Sequence, residues 1–240
     1  SPSVSIRVHL WLKMEPMWKP TPPMRVRIAE RYRSRTLKGY AICKLLTDPV
    51  YDAVAARLLP SSLPLLDIGC GIGLCPFYLR ERGYTAPIVG VDIDEPKVRA
   101  GQARAALDYP GVELRVQRGD DPSLFAGLPP GHVTMLDVLH YFDPAAQREI
   151  LTRIAGAVAP GGWAILRVTP RGDGWRFRFT RWEERFTQVV RWMPAPPQHF
   201  PTTEEVCGPF RERGFTEEVL PLWGRTPFNS HLFAFRRPGP

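Results

Sequence analysis

No stretch of 18 uncharged apolar residues occurs in the 240 positions, so no segment reads as a transmembrane helix. The apolar run from Val4 to Leu12 is short, is interrupted by Arg7 and His9, and has no small-residue cleavage site after it, which argues against a signal peptide. Cysteine is scarce. Cys43, Cys70, Cys75 and Cys207 form no C-x-x-C pair and have no histidines at metal-ligand spacing, so no metal site is expected and they read as reduced, mostly packed thiols. A cytoplasmic protein is the resulting expectation. Acidic residues are also short: 24 Asp and Glu stand against 32 Lys and Arg, a formal net charge of +8. That balance favours anionic partners, namely nucleic acid, a membrane surface, an acidic protein or a phosphorylated substrate. An arginine-rich, proline-rich composition shared across one genome explains it equally well, and the 27 prolines suit that reading.

Forty-four per cent of the residues are hydrophobic and 11% aromatic, enough to bury one full core with an appendage. Residues 1–23 are proline-rich and aperiodic, and read as a loosely ordered leader or tag; a surface anchor is the alternative. Residues 24–240 form the domain. From Met24 to Leu59 the pattern is helical with a break near Asp48-Pro49, because proline restricts the residue before it and opens helices well. Arg25, Arg27, Arg31, Arg33, Arg35 and Lys38 make its first part basic, a solvated face. Tyr40 and Lys44, four apart on one helical face, are candidate ligand contacts.

The next stretch organises the chain. Leu65-Leu66-Asp67-Ile68-Gly69-Cys70-Gly71-Ile72-Gly73 is an apolar strand running into a turn in which each glycine can take positive φ and leave the backbone bare to a ligand. A helix from Leu74 to Arg82, closed by Gly83, would point unpaired N–H groups at that turn. Ala86 to Asp94 is a second apolar run ending in acid, and Asp92 stands 19 residues after Gly73. In a parallel strand–helix–strand unit that spacing brings a carboxylate within reach of the ribose hydroxyls of a nucleoside over the glycines. A helix over Glu95 to Leu107, a strand over Val112 to Val116, a strand over His132 to Val138, a helix over Pro144 to Val158 and a strand over Trp163 to Val168 follow. The alternation gives a parallel sheet covered on both faces.

These landmarks, with Gly119-Asp120, Asp137-Val138-Leu139-His140 and Ala159-Pro160-Gly161-Gly162, resemble class I S-adenosylmethionine-dependent methyltransferases, strongly over about residues 60–170. The resemblance implies an α/β, Rossmann-like, doubly wound seven-stranded sheet of order 3-2-1-4-5-7-6 with the last strand antiparallel. An N-terminal helical flap (24–59) and a helical lid after strand 5 (171–201) would flank it. The closing hairpin suits Gly214 to Leu222 and Phe228 to Arg236. It also implies S-adenosylmethionine as cofactor, with S-adenosylhomocysteine as product. Asp67, Gly69, Cys70, Gly71 and Gly73 would hold the methionine part, and Asp92, with Ile93 beside it, the ribose. Asp120, with Asp121 as competitor, would accept from the adenine amino group, and Asp137 and His140 would lie where cofactor meets substrate. A nicotinamide dehydrogenase fits less well, because Gly71 and Gly73 are two apart rather than three and the Asp-Val-Leu-His strand end has no use in it.

Methyl transfer to a hydroxyl gains from a general base, for which His140 is best placed and His199 second; a structural role at a helix start is the competing reading for His140. In the lid, Trp175, Phe179, Trp182, Phe186, Val189 or Val190, and Met193 recur at helical steps, with Arg176, Arg178, Arg181, Arg185 and Arg191 on the other sides. The stripe predicts a lid whose aromatic face, through Trp175, Phe179 and Trp182, walls an acceptor pocket together with Tyr40. The expected acceptor is a small apolar or aromatic molecule, methylated on oxygen, delivered free, on an acidic carrier protein or at a membrane surface. An RNA or protein methyltransferase gripping its substrate with the basic, aromatic insert is the alternative, and a cofactor-binding regulatory module without turnover is a third.

Overall fold

The computed structural model of the protein describes residues 22–189, 196–223 and 227–239. The expected leader lies outside the described residues except for Pro22 and Pro23, which open the first helix, where a missing N–H costs nothing. The elements run α1 (Pro22–Glu30), α2 (Arg35–Thr47), α3 (Val50–Leu58), β1 (Leu65–Ile68), α4 (Leu74–Glu81), β2 (Ile88–Asp92), α5 (Glu95–Asp108), β3 (Val112–Val116) and α6 (Ser123–Ala126). Then come β4 (His132–Leu136), a 3-10 turn (Leu139–Tyr141), α7 (Pro144–Ala157), β5 (Trp163–Val168), α8 (Trp175–Val189), α9 (Thr203–Arg211), β6 (Thr216–Pro221) and β7 (His231–Arg236).

The strands form one seven-stranded sheet of order β3-β2-β1-β4-β5-β7-β6, as the sequence implies. Parallel pairing aligns Leu65 with Ile88 on one side and with His132 on the other, which brings the carboxyl ends of β1, β2 and β4 to one edge. Only β7 runs against its neighbours, pairing Phe233 with Leu166 of β5 and with Val219 of β6. Two apolar layers sandwich the sheet. One packs α1 to α5 through Ile28, Leu45, Val54, Phe77, Leu79 and Val98, and the other packs α7 and α9 through Ile150, Leu151, Ile154 and Phe210.

The N-terminal region holds three helices rather than a pattern broken once. Ser34 supplies the additional break: its hydroxyl accepts from the Leu37 amide and caps α2. At the expected break, Asp48 Oδ1 accepts from the Val50 amide at 3.1 Å and so starts α3. These helices are fastened to the domain, since the buried Tyr32 hydroxyl donates to the Ile72 carbonyl inside the glycine turn at 2.8 Å. Helix α9 was not foreseen, although its capping box is written in Thr202-Thr203-Glu204-Glu205: Thr202 Oγ1 accepts from the Glu205 amide and Glu205 returns a bond to the Thr202 amide.

Candidate active site

Beyond β1 the chain turns through Gly69 and Gly71, both in the left-handed region at φ +79° and +54°. They serve different ends. A Cβ on Gly69 would fall 2.1 Å from Val138 Cγ2, so this glycine lets the β4 end pack against the turn. A Cβ on Gly71 would meet nothing within 4 Å, because Gly71 borders a cavity. Gly73 takes the left-handed N-cap position of α4.

Asp92 ends β2 and clasps the same turn. Its Oδ2 accepts from the Gly71 amide at 2.8 Å and its Oδ1 from the Asp94 amide at 2.9 Å, leaving a further lone pair on each oxygen for a ligand hydroxyl. Asp67 is buried in β1, where its Oδ1 accepts from Thr134 Oγ1 at 2.6 Å. Burial raises its pKa to about 7, against the smaller opposing effect of the Thr134 bond and with help from the Asp92 charge.

At the end of β4, Asp137 adopts a left-handed φ of +59°, rare for a residue with a side chain. Arg167, buried in β5, holds it there: the Arg167 Nε donates to Asp137 Oδ1 at 2.8 Å and a second guanidinium nitrogen bonds Oδ2. The other guanidinium edge takes Asp48 at 2.5 and 2.6 Å. Lys44 Nζ completes the group at 3.3 Å from Asp48 and 4.0 Å from Asp137. Burial works against the Asp48 charge, yet Arg167 and Lys44 outweigh it and hold its pKa at about 2. Lys44 in turn is raised, because Asp48 and Asp137 overcome burial and the repulsion of Arg167.

The cavity measures about 450 Å³ and runs from this floor along the glycine turn. Among the sequence candidates it gathers Tyr40, Lys44, Asp67, Gly69, Cys70, Gly71, Asp92, Asp137 and His140 on its wall. His140 is buried in the 3-10 turn after β4, stacked on Phe200 at 5.5 Å between ring centroids and tilted against Tyr141 at 4.2 Å. Other candidates sit off the wall. Ile93 is half exposed beyond Asp92. Asp120 binds Arg118 through two bonds of 2.9 and 2.6 Å, and Asp121 accepts from the Ser123 amide and Gln117 Nε2. His199 lies between Arg171 and Glu205, 3.3 Å from Glu205 Oε2, where it ties the segment before α9.

Helix α8 turns differently from the expected lid. Among its described side chains the buried ones are Phe177, set edge-on to Phe200, and Thr180, whereas Trp175 and Trp182 are 58% and 62% exposed. Phe179 is half-buried, between Trp182 and Phe228. Of the aromatic stripe, Trp175 and Trp182 thus face outward, while Phe177 and Thr180 take the inner side. Arg185, Phe186, Val189, Val190, Arg191 and Met193 lie outside the described side chains. Sequence reasoning missed Asp48 and Arg167. The signal for Arg167 was a lone arginine inside an apolar strand, and Asp48 was read only as a helix break.

A family model described as a methyltransferase domain matches residues 37–218, three-quarters of the chain. The chain belongs to the methyltransferase domain family. Its sheet order is that of the class I, S-adenosylmethionine-dependent form. Among curated proteins, this chain is 43% identical over 93 residues to a nocamycin O-methyltransferase of Saccharothrix syringae, 32% of this chain and 33% of that one. It is 29% identical over 177 residues to a Synechocystis tRNA (guanine-N(7)-)-methyltransferase, 66% of this chain and 79% of that one. A ubiquinone biosynthesis O-methyltransferase of Leptothrix cholodnii is 27% identical over 116 residues, 45% of each chain. The chain therefore spans a third of the first relative and under half of the third. Of solved structures, an O-methyltransferase family protein from Burkholderia thailandensis superposes with a TM-score of 0.64 at 20% identity, over 87% of this chain and 62% of that one. Magnesium protoporphyrin IX methyltransferase of Synechocystis, solved with bound S-adenosylmethionine, gives 0.56 at 17% identity over 92% and 85%. At these identities both likenesses concern the fold. Among the described residues, no helix is long and apolar enough to cross a membrane, and no cluster of His, Cys, Asp and Glu could hold a metal ion.

Proposed function

We propose that this methyltransferase carries a methyl group from S-adenosylmethionine to an oxygen of a small apolar or aromatic acceptor. The observation that carries the reading is one continuous cavity whose wall passes from Gly69, Gly71 and Asp92 to Tyr40, His140, Tyr141 and Phe228. The residues fit the cofactor: at Gly71 a methyl group would project into open space, so a ligand can lie against bare backbone, and Asp92 keeps acceptor capacity for ribose hydroxyls. Asp48, Asp92 and Asp137, with Asp67 ionised only above about pH 7, stand against Lys44, Lys97 and Arg167, so the wall has no cationic surplus, which suits a ligand with sulfonium and ammonium charges. For Asp120 to accept from an adenine amino group, it must share its carboxylate with Arg118.

When bound, the cofactor supplies an activated methyl on sulfur. The chain's own task is alignment and exclusion of water, and proximity supplies much of the rate. Asp137, fixed by Arg167, orients the methionine end, while Tyr40 and Tyr141 bracket the acceptor. His140, on the cavity wall, would take the acceptor's hydroxyl proton at a ring nitrogen as that oxygen gains the methyl and the methyl–sulfur bond breaks, leaving S-adenosylhomocysteine. A cavity of about 450 Å³ that must also hold the cofactor leaves room for a compact acceptor.

Some of the curated relatives are named O-methyltransferases, which supports oxygen as the methylated atom. The tRNA methyltransferase among them supports a second reading, but a polynucleotide needs a cationic track and this wall has no cationic surplus. The test is to incubate the protein with methyl-labelled cofactor and a cell extract. Label is expected in the solvent-extractable small-molecule fraction; label confined to acid-precipitated RNA or protein contradicts the proposal.

A further inference from the structure

We propose that the outward face of α8 is a docking surface for a bilayer with anionic headgroups, through which the acceptor of the proposed reaction enters; the second clause rests on that reaction. Trp175, Phe179 and Trp182 lie four and three residues apart and therefore share one helix face. The two indoles are more than half exposed, at 58% and 62%, and are the only tryptophans among the described residues with that much surface in water. Exposed Arg178 and Arg181 flank them. An interfacial helix has this composition: aromatic side chains for the headgroup boundary, and arginines that pair with phosphates while their stems cover apolar surface.

The face is joined to the cavity. Phe179 touches Trp182 on one side and Phe228 on the other, each at 5.9 Å between ring centroids, and Phe228 lies on the cavity wall. Thr180, the next residue of the same helix, also lines it. On the opposite wall, α2 contributes the exposed Cys43 and Thr47, with Leu46 half exposed beside them. An aromatic path thus leads from the exposed Trp182 through Phe179 and Phe228 to the cavity, and the exposed Arg178 and Arg181 lie on the same helix beside its outer end. Single-stranded RNA could use exposed indoles and arginines as well, but its phosphates would have to follow the path to a wall with no cationic surplus. An apolar acceptor leaving a bilayer meets no such barrier. The chain's charge of +8 adds attraction to an anionic surface, at about fivefold in partition for each arginine close to the headgroups.

The test uses the full chain, sedimented with vesicles of phosphatidylcholine alone or of phosphatidylcholine and phosphatidylglycerol at 3:1, with S-adenosylhomocysteine affinity measured in parallel by calorimetry. At least tenfold stronger partition to the mixed vesicles is expected, together with a blue-shifted tryptophan emission. Trp175→Ala with Trp182→Ala should lose fivefold or more on both vesicle types, and Arg178→Glu with Arg181→Glu should abolish the preference for the anionic ones. Equal partition to both vesicles, full retention in the tryptophan variant, or capture of a single-stranded RNA oligonucleotide in place of vesicles would overturn the surface. Normal vesicle binding in a protein that fails to bind S-adenosylhomocysteine would leave the surface standing and remove the methyltransferase reading instead.

Discussion

Asp67 shows how much a single buried carboxyl can report. Its pKa is about 7 in the fold and near 3.8 unperturbed, so between those values the folded chain keeps a proton that the unfolded chain has lost. Stability therefore falls as pH rises through that window and levels off above about 7. Urea denaturation at pH 5 and pH 8 should show the wild type losing on the order of 1–3 kcal/mol more than Asp67→Asn, because the opposite trend from buried His132, whose pKa is lowered to about 4, is common to both proteins; equal pH dependence in the two would contradict the burial argument. At His140 the expectation is kinetic. Replacement by Ala should lower kcat by about 10²–10⁴-fold, and an unaltered kcat would leave His140 a packing role against Phe200 and Tyr141. Asp67, Asp92 and His140 were legible because strand ends and a fixed spacing locate them. Arg167 and Asp48 were not, since their pairing joins positions 119 apart and local sequence does not encode such a contact.

Between elements, the same long-range pair ties β5 to the α2–α3 junction. Arg167→Met would leave Asp48 and Asp137 with Lys44 as their one remaining cation, and removing one member of a buried ion pair costs about 3–5 kcal/mol. The urea midpoint should fall accordingly, and adding Asp48→Asn should recover part of the loss. Tyr32→Phe removes the bond from the N-terminal helices to the glycine turn, at about 1 kcal/mol of stability and with weaker cofactor binding; unchanged binding would show that the turn holds its shape without that bond. Element order and strand ends could be read from apolar runs and glycines. The facing of α8 could not, because two aromatic sets share that helix and helical spacing does not say which one the sheet end accepts. Phe177 and Thr180 went in; Trp175 and Trp182 stayed out.

Over the whole molecule, charge is divided by place. The sequence carries +8, yet the cavity wall has no cationic surplus, so the basic surplus lies elsewhere on the chain and the site itself suits a cationic cofactor and an uncharged acceptor. Composition alone left this open, because net charge does not reveal which residues the fold gathers at one edge of the sheet. The assignment of the glycine turn and Asp92 to S-adenosylmethionine is most directly tested by calorimetry with S-adenosylhomocysteine. Wild-type protein should bind one equivalent. Asp92→Ala, which removes the carboxylate that accepts from Gly71 and Asp94, should bind about 10–100-fold more weakly with its sheet intact by circular dichroism. Equal affinity in the two proteins, or no binding by the wild type, would contradict the placement of the cofactor over this turn.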